Sequence, residues 1–261
     1  MNLSTSHRSP FKFFVLVFML SIPFWLIGAV TRLQLLPNLP VSSLMTFCPL
    51  MAALILVYRE HKTAGVTTLL KRSFDYKRIS AKVWYAPIVL MMPGVMVLAY
   101  ALMRWMDTPL PTPQFQVLTA LLIFLAFFVG ALGEELGWSG YVTDPLQDRW
   151  GALRAGIVLG LVWAAWHVIP LIQAHRSAEW IAWYALFTVA TRVIMVWIFN
   201  NTGKSVFGAV LFHAMANVSW LLFPNYGSHF DPRVAGLIVT FTAAIIVVVW
   251  RPALSSNKSD L

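Results

Sequence analysis

Eight stretches of roughly 20 apolar residues follow one another along this chain, at about residues 11–31, 41–58, 83–103, 117–142, 152–172, 180–200, 205–223 and 234–250. A helix needs about 20 residues to cross a hydrocarbon core of about 30 Å. The stretches lack the two-residue alternation of barrel strands, which run to about 10 residues each. The pattern therefore predicts an all-α, polytopic helical membrane protein with about eight transmembrane helices. Composition agrees, since 59% of the 261 residues are hydrophobic and 11% are charged, against roughly 25% charged in soluble domains. A soluble globular fold is excluded. No repeat, low-complexity tract or long extramembrane segment interrupts the pattern, so residues 1–261 are expected to form a single integral membrane domain.

The first stretch also admits a signal-peptide reading, with His7, Arg8 and Lys12 as its basic region. It is longer than a typical signal core and no small-residue cleavage site follows it, so a retained span is expected. The net charge of +9 would point to nucleic acid in a soluble domain. Here the cations cluster between apolar stretches, which makes them topology signals, and no nucleic-acid partner is expected. The segment after the second span carries Arg59, Lys62, Lys71, Arg72, Lys77, Arg78 and Lys82 and is expected to be cytoplasmic. Eight spans then put both termini in the cytoplasm, in keeping with Arg251 and Lys258, and the links 144–154 and 200–204 beside them. The expected location is the plasma (inner) membrane. Cys48 is the single cysteine, which excludes an intrachain disulfide. The polar tail from Ser255 is expected to be frayed.

Ionisable groups inside spans cost a few kcal/mol each and are functional by default. The sequence places Glu134 and Glu135 in the fourth stretch, His167 in the fifth, Arg192 in the sixth, and His213 with Asn217 in the seventh. Adjacent residues on a helix point about 100° apart, so the two carboxylates cannot serve one centre in the same way. Either one does chemistry while a partner holds the other, or the pair marks a wetted helix end. His167 follows Trp163 by one turn, so the indole can wall the imidazole from lipid, although a lone histidine is also a common hydrogen-bonded core residue. His213 and Asn217 stack at i and i+4; they can glue helices together or present two donors to one oxygen. Depth joins these groups. At 1.5 Å per residue, Glu134 and His213 lie about 12 Å from the cytoplasmic ends of their spans, and His167 about 18 to 22 Å. A carboxylate and two imidazoles in the cytoplasmic half of a bundle can activate water.

Three motifs in order complete this reading: Glu134-Glu135-Leu136-Gly137-Trp138-Ser139, then Trp163-Ala164-Ala165-Trp166-His167, then His213-Ala214-Met215-Ala216-Asn217. They resemble the EExxxR, FxxxH and HxxxN motifs of the CPBP family of CAAX prenyl proteases and bacteriocin-processing enzymes. The likeness runs from about Gly130 to Asn217, within a catalytic core expected at about 115–223. It implies an intramembrane endopeptidase with a cytosol-facing site, acting on membrane-associated peptides or proteins, lipidated CAAX tails or leader peptides among them. Glu134 would then be the general base, His167 would hold the water, and His213 and Asn217 would stabilise the oxyanion. Glu135, Trp163 and Arg192 would support them. Two departures stand out: the family's phenylalanine is Trp163 and its arginine is Ser139. Loss of that arginine leaves Glu135 in need of another cation, for which Arg192, Arg149 and Arg154 are the candidates.

No cofactor is required by this scheme. A zinc ion held by Glu134, His167 and His213 is the alternative, since catalytic zinc sites use three such ligands and an open position. A noncatalytic scaffold or self-immunity protein on the same fold also remains open, because of Ser139. A proton-coupled transporter is disfavoured, since the sequence lacks the inverted halves expected of one.

Overall fold

The computed structural model describes residues 8–36 and 39–249. His7, Trp250, Arg251, Lys258 and the tail from Ser255 lie outside the described residues. The described residues form eight long helices: α1 (Pro10–Thr31), α2 (Cys48–Lys71), α3 (Tyr85–Trp105), α4 (Val117–Gly137), α5 (Thr143–Gln173), α6 (Ala178–Asn201), α7 (Val206–Leu221) and α8 (Pro232–Val249). The chain is an all-α polytopic membrane protein. Among the described residues, six helical segments are long and apolar enough to cross a membrane. One of them, Val117–Gln173, runs to 57 residues and would measure about 85 Å as one rod. It holds two spans, α4 and α5, separated by a π-helical turn at Trp138–Val142. The shorter α7 completes the eight.

Local chemistry sets these boundaries. Ser9 caps α1 by accepting a hydrogen bond from the Lys12 amide, Pro10 sits at its first turn, and Arg32 closes it in the left-handed region at φ 53°. Ser177 caps α6 and Ser205 caps α7, each satisfying an amide that a helix start leaves orphaned. The link 144–154 is helical. It is the first part of α5, broken at Gly151 (φ 76°, ψ 164°), a conformation open to glycine at no steric cost. A short antiparallel hairpin, β1 (Gln34–Leu36) with β2 (Leu39–Pro40), follows α1. Nothing in the apolar pattern signals it.

Helix α5 packs on α6, α6 on α8, α4 on α2 and α7, and α3 on α7. Two glycines allow the approaches that matter for the interior. A Cβ on Gly137 would stand 2.5 Å from the Pro49 carbonyl oxygen, and one on Gly160 would stand 2.8 Å from Val189 Cα. Small residues at such crossings let backbones meet, which is how membrane helices gain packing without a hydrophobic drive. The first crossing brings the 3₁₀ segment Val41–Phe47 against α4, and the second brings Arg192 inward. Gly137→Ala is expected to part α2 from α4 and lower the melting temperature in detergent; an unchanged melting curve would show that the approach is not required.

Hydrogen bonds define two ends of the bundle. At one, Arg72 donates to the Gly140 and Lys204 carbonyls, Arg78 donates to Gly203, and Asp75 accepts from Ser205 and from the first amides of α7. At the other, beside the hairpin, Gln173 donates to the Trp25 carbonyl, and the Gln114 amide donates to Asn225. The basic stretch 59–82 belongs to the first end.

Candidate active site

The two adjacent carboxylates part company, and neither is wetted at a helix end. Glu134 is 6% exposed and Glu135 is 0% exposed. Glu135 turns into the protein, where Arg192 grips it bidentately, Nη1 to Oε2 at 2.9 Å and Nη2 to Oε1 at 3.0 Å. Ser139 Oγ donates to Oε2, and His213 Nδ1 lies 3.0 Å from Oε1. Paired forks of this kind are the strong, directional form of a charge-assisted hydrogen bond. Arg192 therefore supplies from α6 the cation missing at Ser139, while Arg149 and Arg154 lie exposed.

Glu134 turns the other way, onto a cavity of about 520 Å³ that His167, Asn217, Thr46 and Tyr184 also line. Thr46 Oγ1 lies 3.0 Å from Oε1 and 3.1 Å from the Gly130 carbonyl oxygen, so its one proton is shared. Trp163 Nε1 donates to Oε2 at 2.7 Å. Trp163 also sets its neighbours. Its carbonyl oxygen is 2.8 Å from His167 Nδ1, its ring meets the His213 ring edge-on at 5.1 Å, and the Arg192 guanidinium lies 4.1 Å from its centroid. A carbonyl can only accept, so His167 Nδ1 carries the proton and Nε2 presents a lone pair.

The structure thus brings Glu134, His167 and Asn217 to one cavity. His213, 2% exposed, stands behind it on Glu135. Among the described residues, no three His, Cys, Asp or Glu side chains converge as a metal-binding group. Glu134, His167 and His213 do not form one, because Glu134 is held by two neutral donors and His213 is turned to Glu135. Thr46 and Tyr184 were not foreseen. Thr46 lies in an apolar stretch with no motif around it, and its role comes from the close α2–α4 crossing.

Fold and site together define a polytopic helical membrane protein that sets a buried carboxylate, a partly buried imidazole and a partly buried amide around one cavity. Residues 116–219 match the family described as type II CAAX prenyl endopeptidase Rce1-like. The chain is 27% identical to CAAX prenyl protease 2 of Methanococcus maripaludis, across 98% of this chain and 99% of that protein. It is 22% identical to lysostaphin resistance protein A of Staphylococcus haemolyticus, across 49% of this chain and 33% of that protein. These likenesses agree with the resemblance of the three motifs to the CPBP family.

Proposed function

We propose that this protein is an intramembrane endopeptidase that hydrolyses peptide bonds of membrane-associated proteins, of which CAAX-type tails and leader peptides are the family's examples. One observation carries the reading. Glu134 is held by Trp163 and Thr46 on the same cavity as the His167 lone pair and the Asn217 amide. In this scheme a water donates one hydrogen bond to Glu134 and the other to His167 Nε2. Glu134 takes the proton as the water oxygen bonds to the carbonyl carbon. The Asn217 amide donates to the resulting oxyanion, a contact typically worth about 3 kcal/mol. Glu134 then returns its proton to the amide nitrogen as the C–N bond breaks. His213 can donate through Nε2 only as the imidazolium, with Glu135 as its counter-ion; otherwise it serves to orient the site.

The ground for a noncatalytic reading was Ser139; Arg192, which meets Glu135 directly, supports the catalytic one. The test uses purified protein in nanodiscs with a library of membrane-anchored peptides. Cleavage that survives a chelator is expected. Silence from folded protein would overturn the endopeptidase reading, and chelator-sensitive cleavage would transfer the water to a metal.

Trp163 offers a finer test, because phenylalanine keeps the ring and deletes only the N–H. Hydrogen bonds to charged groups contribute about 1.5–3 kcal/mol. Trp163→Phe is expected to lower kcat roughly tenfold or more with little change in KM or melting temperature. Equal loss in kcat and KM would make Trp163 a packing residue.

A further inference from the structure

On the endopeptidase reading, we propose that the Tyr184 hydroxyl is a second hydrogen-bond donor to the oxyanion, acting with the Asn217 amide. The need for one comes from His213. The resemblance assigns His213 and Asn217 together to the oxyanion, but the structure parts them. His213 Nδ1 lies 3.0 Å from Glu135 Oε1. A carboxylate accepts, so Nδ1 carries the proton and Nε2 of the neutral ring has none to give. The His213 side chain is 2% exposed and stands behind the cavity rather than on its wall. Asn217 is on the wall, where it would meet the oxyanion alone.

Tyr184 stands where such a donor is wanted. It lines the cavity with Glu134, His167 and Asn217. Its ring meets that of His167 at 6.5 Å and 66°, beside the imidazole that holds the water. Helix α6 fixes the ring from both sides along its axis. Trp180, one turn earlier, stacks on it at 5.1 Å and 13°, and Phe187, three residues later, at 5.8 Å and 29°. Phe230 ties this stack to the helix that carries Asn217. It packs on Trp180 at 6.1 Å, on Phe187 at 5.8 Å, and at 5.6 Å on Trp220, three residues after Asn217. Packing this close restrains the phenol before substrate arrives.

The hydroxyl itself is unclaimed. Tyr184 accepts through its carbonyl from Thr188 Oγ1 at 2.8 Å, while among the described residues its hydroxyl has no hydrogen-bond partner. It does not hold Glu134, whose two oxygens take Thr46 and Trp163. An enclosed tyrosine ordinarily finds a partner for its O–H, and here the open space is the cavity. In a peptide bond under attack, the carbonyl oxygen is the atom whose negative charge grows. A donor fixed in place before that charge develops needs no reorganisation when it does. Tyr184 keeps its proton throughout, so the proton that Glu134 takes from water and returns to the amide nitrogen still balances the hydrolysis.

Tyr184→Phe tests this, because it keeps the ring and its stack and deletes only the oxygen. With the best-cut membrane-anchored peptide of the library, in nanodiscs, kcat is expected to fall by about 10² to 10³-fold, the usual cost of one oxyanion donor. KM should stay within about threefold, since a contact made only in the transition state lowers kcat and kcat/KM together. The second measurement is the Kd of the same peptide for Glu134→Gln, which holds it uncut. Adding Tyr184→Phe to that variant should change the Kd by less than about threefold. A Kd weakened as much as cleavage is would overturn the proposal, because the hydroxyl would then be a contact to the bound peptide or a support of the fold. Wild type and Tyr184→Phe that cut alike would overturn this proposal and leave the endopeptidase reading standing. Folded wild type that cuts no peptide would overturn both.

Discussion

Glu134→Gln is expected to fold like the wild type and to lose cleavage by about 10² to 10⁴-fold, the usual contribution of a general base. The structure explains why the fold should survive. An amide oxygen can still accept from Trp163 Nε1, which now donates to Oε2 at 2.7 Å. The amide NH₂ can donate to Thr46 Oγ1, because that hydroxyl can give its proton to the Gly130 carbonyl oxygen 3.1 Å away. Both contacts persist in the neutral isostere, and no charge is left unpaired by the change. What the amide cannot do is take a proton from water. Matched melting curves with cleavage lost would therefore assign the proton to Glu134. Cleavage within threefold of the wild type would remove it as the base.

The eight-helix plan was legible because each span carries its own apolar stretch, and the bilayer imposes a length that packing does not change. The depth argument likewise brought Glu134 and His167 to one region, and the 100° offset between Glu134 and Glu135 left two readings open, of which the structure shows the one with Glu135 held by a partner. Arg192 was legible as a candidate because a cation in the middle of a span needs a partner. Choosing it over Arg149 and Arg154 needed the α5–α6 crossing at Gly160. Three features escaped. Trp163 read as a wall, since periodicity does not show where an indole N–H points. Thr46 reaches Glu134 across 88 positions of sequence, through a helix crossing that only the backbones define. The π-helical turn at Trp138–Val142 continues the apolar run without a break, so the sequence carried the fourth span through it to Val142.

Arg192→Met is expected to be the most destabilising single change at the site. Arg192 is 1% exposed and Glu135 is 0% exposed, so the substitution strands a buried carboxylate. Breaking one side of such a pair costs about 3–5 kcal/mol, and the melting temperature should fall by roughly 10 °C. His213 Nδ1 and Ser139 Oγ would still reach Glu135, but neither replaces a bidentate guanidinium. The double variant Glu135→Leu with Arg192→Met distinguishes stability from function. Replacing both members of a buried pair by apolar residues is often close to neutral, so much of the lost melting temperature should return. Cleavage should not return with it. His213 would have lost the carboxylate that orients its ring, and Trp163 the cation stacked on its face at 4.1 Å, the same Trp163 that positions Glu134 and His167. A double variant that regains both stability and cleavage would mean that the Arg192–Glu135 pair is scaffolding alone. Arg192→Met that melts and cuts like the wild type would remove Arg192 as the cation standing in for the arginine absent at Ser139.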